Sequence, residues 1–492
     1  MLSSWVFIAV LVGYFGLLVV VAKLTSKGAD DKSFFTADRK SPWYLVAFGM
    51  IGAALSGVTF ISVPGEVGNS NLSYFQLLLG NVVGYWLVAF GLIPLYYKRN
   101  VVSVYEYLRD RFGAGSYKTG SAFFLLSQLI GASFRLYLAA LVLQLFFFDG
   151  WGVPFPMTVA LALVLIWLYT FRGGIKTIVW TDTLQTLCML LAVGSCVYWV
   201  MDDLGSEWPG LAGFLEAHPN GNAVVTDWQD KRFFLKEFFA GVFLAVVMVG
   251  LDQNMMQKSL TCKNSKESKR NMVAFSLSFL AVSSLFLFLG LLLYSYMAKH
   301  GIELPNRSDE LFPYLALNHF GGLTSVLFLL GVTAAAYSSA DSSLTALTTS
   351  FCVDILGGKK TYGENTRRYV HIGFTVAAFA TIMLFWSMND QSVVRSVFKV
   401  AGYTYGPLLG LFAYGLFRKK AIRDAWVPVV CLLSPVLTYF VNANSEAWLF
   451  GYRFGHELLL LNGLLTFVAL ECISLGKPET VNEKKIKIGQ GN

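Results

Sequence analysis

Long apolar runs recur from one end of the chain to the other, and short polar segments separate them. A helix needs about 20 mainly apolar residues to cross the hydrocarbon core of a bilayer. The pattern therefore predicts an all-α polytopic membrane protein. Its thirteen predicted spans lie near residues 5–22, 43–68, 75–97, 119–148, 156–171, 177–200, 237–257, 272–298, 322–351, 370–388, 393–417, 425–442 and 458–475.

Basic residues are concentrated in alternate connectors. One set of connectors, at 23–40, 98–118, 171–176, 258–270, 354–369, 418–424 and 473–492, holds 29 Lys or Arg, whereas the other set holds six. Cytoplasmic loops of membrane proteins carry the excess of basic residues. We therefore expect the N-terminus outside, the C-terminus in the cytoplasm and the protein in the plasma membrane.

Composition supports this class and disfavours others. Hydrophobic residues make up 55% of the 492 residues and charged residues only 14%, against about 25% charged in an ordinary soluble chain. The net charge of +8 follows from the cytoplasmic connectors and does not indicate nucleic-acid binding. Cys and His residues show no spacing typical of a metal site, a disulfide framework or a catalytic centre. We expect no enzyme activity and no organic cofactor, with a polytopic membrane enzyme or a channel as distant alternatives.

The span 322–351 carries the densest group of polar residues. Ser338, Asp341 or Ser342, and Thr345 repeat at helical spacing and so share a face. Hydroxyl and carboxylate oxygens suit a hard cation. Ser and Thr can also serve close helix packing, but six polar residues within eight favour a cation site.

Two spans contain signals for a break at mid-membrane. The first is rich in small residues and ends in Pro64-Gly65, and the second contains Gly250-Leu-Asp252-Gln253. A broken helix frees backbone carbonyls for a cation and half-helix ends for a substrate. The breaks lie five spans apart, which indicates two inverted repeats, 43–200 and 237–417, within a core of 43–417. Residues 1–42 and 418–492 then add one and two helices.

Six stretches resemble the sodium:solute symporter family, which includes sodium/glucose, proline, iodide and sialic acid transporters. They are FFTADRKSPW followed by ALSGVTFISVPGE, EYLRDRFG, YTFRGGIKTIVWTDTLQT, DQNMMQ, AAAYSSADSS and GYTYGPLLGLF. The resemblance covers nearly the whole chain. It implies a LeuT-type five-plus-five inverted repeat, alternating access, and one or two Na⁺ as coupling ions.

The resemblance also implies which residues bind sodium. Sodium site 1 would consist of Gly52, Leu55, Ala335, Ser338 and Ser339. Sodium site 2, present in some relatives, would consist of Asp182, Ser338, Asp341 and Ser342. Asp341 stands where relatives have a hydroxyl, so it would either tighten sodium binding or exchange a proton.

The substrate is a small molecule, and its class depends on the basic residues within the spans. Family position nominates Ala54, Ser56, Thr59, Gln76, Leu78, Gly250, Asp252 and Lys399. Together with Lys399, Arg135 and Arg395 favour an anionic solute such as a carboxylate, sialic acid among them. The alternatives are a neutral sugar or polyol and, less favoured, an inorganic anion, since Arg395 could snorkel to the surface and Lys399 could pair with an acid. We expect a monomer in the lipid bilayer.

Overall fold

The regular structure of the chain is helical, as the hydrophobic pattern predicts. A computed structural model describes residues 4–26, 31–170, 174–205, 209–305, 307–357, 364–388 and 393–475. Some helices continue into a single 3₁₀ or π turn. The α-helices are α1 (Ser4–Thr25), α2 (Asp31–Thr36), α3 (Trp43–Ala54), α4 (Gly57–Ser70), α5 (Tyr74–Leu87), α6 (Ile93–Arg99), α7 (Glu106–Arg111), α8 (Ala114–Leu143), α9 (Phe155–Thr170), α10 (Gly174–Leu204), α11 (Gly210–Ala217), α12 (Phe234–Ala245), α13 (Gln253–Ser259), α14 (Ser265–His300), α15 (Leu311–Asn318), α16 (Gly322–Ser350), α17 (Glu364–Met388), α18 (Val393–Phe417), α19 (Val427–Ala443), α20 (Ser445–Trp448) and α21 (Leu458–Cys472).

The longer helices have the length and composition of membrane spans. Eight in the described part of the chain are long and apolar enough to cross a bilayer, or ten if each of two bent helix pairs forms one span. The apolar helices α9 and α21 are shorter, with 16 and 15 residues. The count of thirteen spans and the orientation remain predictions.

Both interruptions expected from the sequence are present. Helices α3 and α4 meet at an angle of 56°, and the segment that ends at Gly250 meets α13 at 70°. Ser56 precedes α4 in an extended conformation, which stops the helical hydrogen bonding at this point. Asp252 caps α13, because its carboxylate accepts a hydrogen bond from the backbone N–H of Met255 at 3.2 Å. Each break therefore exposes helix ends inside the bundle.

Helix α16 lies at the centre of the bundle. Residues 331–350 are all buried, and the helix packs against α3, α4, α8, α10, α13 and α17. Every polar residue of this stretch consequently faces another helix and not lipid. The polar group that marked this span in the sequence is thus enclosed by protein, where hydroxyls and carboxylates can find partners.

Helices α5 and α12 approach each other at backbone distance. A Cβ atom at Gly80 would lie 2.0 Å from the carbonyl oxygen of Phe238, and one at Gly241 would lie 2.2 Å from that of Leu77. Gly84, one turn beyond Gly80, would likewise meet the carbonyl oxygen of Val242. Small residues four apart allow this close packing in membranes. The pair α5 and α12 is therefore sensitive to any added side chain.

We expect Gly241→Ala to lower the melting temperature of the detergent-purified protein, by an amount equivalent to about 1–3 kcal/mol, because the new methyl group would overlap backbone atoms. Gly194→Ala on α10 is the matched control, since nothing lies within 4 Å of a Cβ at that position. The control should melt at the wild-type temperature or higher, because Ala favours helix over Gly. Equal melting temperatures for the two variants would contradict this account of the packing.

Candidate functional site

Helix α16 presents two polar faces to different neighbours. On one face, Ser338 donates a hydrogen bond to Asp182 of α10 at 2.7 Å. On the other, Ser343 accepts one from Gln128 of α8 at 2.7 Å. Positions 338 and 342 share the first face, and positions 339 and 343 share the second, as helical spacing requires. The polar run therefore serves two distinct clusters of side chains.

The break between α3 and α4 lies against α16, where sodium site 1 is expected. A Cβ at Gly57 would be 3.8 Å from the Cα of Ala336 and 3.3 Å from the side chain of Ala139. Leu55 is fully buried at the end of α3, as are Ala335 and Ser338 on α16. The last carbonyls of a helix have no partner within it. The structure thus brings together a helix end and buried hydroxyls, which are oxygen ligands suited to a hard cation.

Thr186 of α10, which was not among the residues nominated from the sequence, holds this helix end. Its Oγ1 accepts a hydrogen bond from the backbone N–H of Gly52 at 3.1 Å. The same hydroxyl lies 2.7 Å from the carbonyl oxygen of Asp182, to which it can donate. A Cβ at Gly52 would lie 2.3 Å from this oxygen, so only glycine allows the contact. A hydroxyl one turn beyond Asp182 was visible in the sequence, but its partner on α3 was not.

The residues of sodium site 2 also lie together. The Asp182 carboxylate accepts hydrogen bonds from Ser338 at 2.7 Å and, more weakly, from Ser342 at 3.5 Å. Ser342 donates to Asp341 at 3.1 Å as well. Tyr169 of α9 donates to the other oxygen of Asp341 at 2.8 Å. All five side chains are buried. The expected cluster of two carboxylates and two hydroxyls is therefore present.

Lys258 joins this cluster, and here the sequence analysis was wrong. It counted Lys258 among the basic residues of the connector 258–270. In the structure Lys258 belongs to α13, its side chain is 2% exposed, and its Nζ lies 2.6 Å from Asp182. The apolar run ends one residue before Lys258, and that boundary concealed its place inside the bundle. An ion pair thus occupies the carboxylate that was assigned to a second sodium ion.

A second polar cluster surrounds Arg135 on the other face of α16. The Nη2 of Arg135 lies 3.4 Å from Ser343, and its buried Nε has no hydrogen-bond partner among the described residues. Tyr405 of α18 donates a hydrogen bond of 2.6 Å to Asp252 at the break before α13. Gln128 connects the two groups, because it contacts both Ser343 and, at 3.5 Å, Tyr405. This cluster combines a guanidinium, one of whose N–H groups has no partner among the described residues, with several neutral polar groups.

The other residues nominated for substrate binding do not all lie near this cluster. Ser56, Ala54 and Thr59 lie at the break after α3, with Ala54 and Thr59 half-buried. The amide of Gln76 instead binds the loop between α11 and α12, accepting from the N–H of Val225 and donating to the carbonyl of Arg232, both at 3.0 Å.

Leu78 and Gly250 offer no polar side chain to this cluster. Leu78 is buried, and the carbonyl of Gly250 accepts a hydrogen bond from Tyr96 of α6 at 2.9 Å. Arg395 and Lys399 lie on α18, but their side chains are outside the part of the chain that the structure describes.

Two helices broken at their centres, together with oxygen clusters around a buried central helix, define a secondary transporter with a LeuT-like architecture. The model of the sodium:solute symporter family matches residues 34–425. The chain therefore belongs to the sodium:solute symporter family and is an integral membrane transporter.

Curated relatives and a solved structure extend the comparison. The sodium/sialic acid symporter NanT of Aliivibrio fischeri is 26% identical, over 93% of this chain and 92% of its own length. The sodium/sialic acid symporter SiaT of Proteus mirabilis is 25% identical, over 96% and 97%. A Na⁺-coupled sialic acid symporter solved in a substrate-bound outward-open state superimposes with a TM-score of 0.81 at 20% identity, covering 95% of this chain and 97% of that one. The structural match supports the fold expected from the sequence.

We expect Thr186→Val to raise the sodium concentration needed for half-maximal uptake, because the hydroxyl that joins α10 to the N–H of Gly52 and the carbonyl of Phe48 near the end of α3 would be lost. A lost hydrogen bond costs about 0.5–1.5 kcal/mol, which corresponds to an increase of up to roughly tenfold. Thr186→Ser should restore the wild-type value. Thr183→Val is the control on the same helix, since its hydroxyl contacts only carbonyls, at 2.8 and 3.5 Å. A sodium dependence unchanged in Thr186→Val would remove Thr186 from the site.

Proposed function

We propose that the protein is a sodium-driven symporter that imports a small organic anion by alternating access. The anionic class of the substrate is inferred from the buried Nε of Arg135, which has no partner among the described residues. A guanidinium has five N–H donors in a fixed planar arrangement that matches a carboxylate. A carboxylate at this position would accept charge-assisted hydrogen bonds from the guanidinium, including one from the Nε that no described residue accepts. Sialic acid and simpler carboxylates are the candidates, consistent with the sialic acid symporters among the relatives.

The coupling sodium ion would bind at sodium site 1. Its ligands would be the carbonyls of Gly52, Leu55 and Ala335 and the hydroxyls of Ser338 and Ser339. The close approach of the α3 break to α16 supports this proposal. A cation held there would join α3 to α16 and so stabilise one arrangement of the two. By binding one conformation more tightly, sodium shifts the population towards the state that accepts substrate.

The substrate would bind between the two breaks. Ala54, Ser56 and Thr59 would contribute from the first break, and Asp252 from the second. Lys399 and Arg395 would add positive charge from α18. Gln76, Leu78 and Gly250 would contribute to the walls, with Gln76 acting through the outer loop that its side chain binds.

A neutral sugar or polyol is the second candidate, because Asp252 lies within electrostatic reach of Arg135 and offsets part of its charge. Gln128, Asn254 and Tyr405 would then supply the hydrogen bonds that hydroxyl groups require.

We propose the same for the topology of the chain in the membrane. Thirteen spans would place the N-terminus outside and the C-terminus in the cytoplasm, with 43–200 and 237–417 as inverted repeats inside the core 43–417. Residues 1–42 and 418–492 would supply the additional helices. The two broken helices and the asymmetric distribution of basic residues support this arrangement. The transporter would function as a monomer without an organic cofactor.

We expect Ser339→Ala to raise the sodium concentration for half-maximal uptake by about tenfold, equivalent to 1.4 kcal/mol, because a direct ligand is lost. Ser283→Ala is the matched control: Ser283 is buried on α14 and its hydroxyl has no partner among the described residues. Sodium titration of uptake in proteoliposomes measures both variants. A wild-type response in Ser339→Ala would overturn the assignment of this ligand.

We expect an organic acid to raise the melting temperature in sodium but not in potassium, since only the sodium-bound protein would hold it. Arg135→Gln should abolish this increase, and Arg135→Lys should restore part of it through charge alone. Arg270→Gln, at an exposed position on α14, is the charge-matched control. Stabilisation of wild type by a neutral sugar, retained in Arg135→Gln, would favour the second candidate.

A further inference from the structure

The side chain of Lys258 is buried inside the bundle, so its ammonium group does not reach the surface. It is the one buried lysine in the described part of the chain and ranks among the largest fully buried side chains there. Its position follows from the second helix break, because α13 begins at Gln253 and directs Lys258 towards α10 within two turns. An ammonium in such a place is costly unless it is paired, and Asp182 provides the pair at 2.6 Å.

The ammonium binds the same oxygens that a second sodium ion would need. One oxygen of Asp182 accepts from Ser338, and the other accepts from Lys258. Ser342 completes the surroundings at 3.5 Å. These hydroxyls donate to carboxylates in this arrangement. A sodium ion bound beside them would have to face a fixed positive charge at close range, which disfavours both.

An ammonium can also do what a sodium ion does at this position. It supplies one positive charge to Asp182, and it does so as a compact group with three donors. It thereby links α10 to α13, while Ser338 links α10 to α16. The side chain is covalently attached, so unlike sodium it is not released in a transport cycle. The cluster that was expected to be sodium site 2 therefore does not fit a mobile ion.

We propose that Lys258 is a built-in cation that replaces the second sodium ion, so that the transporter binds and couples a single Na⁺ at sodium site 1. This inference rests on the proposed function, because it presupposes a sodium ion at site 1. It adds the number of sodium ions that are coupled to each transport cycle. With one Na⁺ and one monovalent anion, each cycle carries no net charge across the membrane.

The test is the number of sodium ions bound by purified protein without substrate, measured with radioactive sodium. Wild type should bind one. Lys258→Met removes the ammonium but keeps an unbranched side chain of similar length, and it should bind two, because Asp182, Asp341 and the two hydroxyls become available. The double variant Lys258→Met/Asp182→Asn should return to one. Lys266→Met, at an exposed position on α14, is the matched control and should bind one.

Melting temperature gives a second readout. Lys258→Met should melt lower than wild type in potassium and recover in sodium more strongly than wild type does, because sodium would then neutralise the buried carboxylate that has lost its ammonium partner. If this variant does not fold, the wild-type stoichiometry still decides, because two bound ions would overturn the inference and one would support it.

Two sodium ions bound to wild type, or one bound to a folded Lys258→Met, would overturn the inference and leave the proposed function intact. No sodium bound to wild type, with melting temperatures equal in sodium and potassium, would overturn the proposed function itself.

Discussion

The buried ion pair between Asp182 and Lys258 lies where α10, α13 and α16 meet. Neither charge could remain inside a membrane protein alone, so the position of each helix depends on the other. Removing one partner of a buried pair typically costs about 3–5 kcal/mol. The break before α13 is what permits the pairing, because an uninterrupted helix would carry Lys258 along the axis of α12 and away from α10. The ion pair consequently depends on the break in the helix.

The central helix α16 presents a different polar cluster on each of two faces. Ser338 and Ser342 contact the carboxylates on the side of α10, whereas Ser343 contacts Gln128 and Arg135 on the side of α8. Ser339 shares the face of Ser343 and follows Ser338 directly in the sequence. A rotation or tilt of α16 relative to α3 would therefore alter both clusters together. If sodium binds at the α3 break as proposed, this arrangement couples it physically to the cluster around Arg135.

Helix packing elsewhere provides a rigid frame for these clusters. Gly80 and Gly241 let α5 and α12 approach at backbone distance, and Thr186 holds the end of α3 against α10. Close packing of small residues replaces the hydrophobic effect, which contributes little between helices already surrounded by lipid. The polar sites are then held by elements whose own positions are tightly specified.

The sequence by itself determined the class of protein, the family, the two breaks and the polar character of α16, because hydropathy, glycine content and local motifs are properties of short segments. It also identified Asp182, Ser338, Asp341 and Ser342 as neighbours through the family motif. It did not reveal the contact of Thr186 with Gly52, because the two are 134 residues apart and nothing local relates them. The sequence analysis assigned Lys258 to a connector because hydropathy places a lysine at the end of an apolar run outside the membrane. Only the tertiary structure brings Lys258 next to the carboxylate of Asp182, which makes its burial favourable.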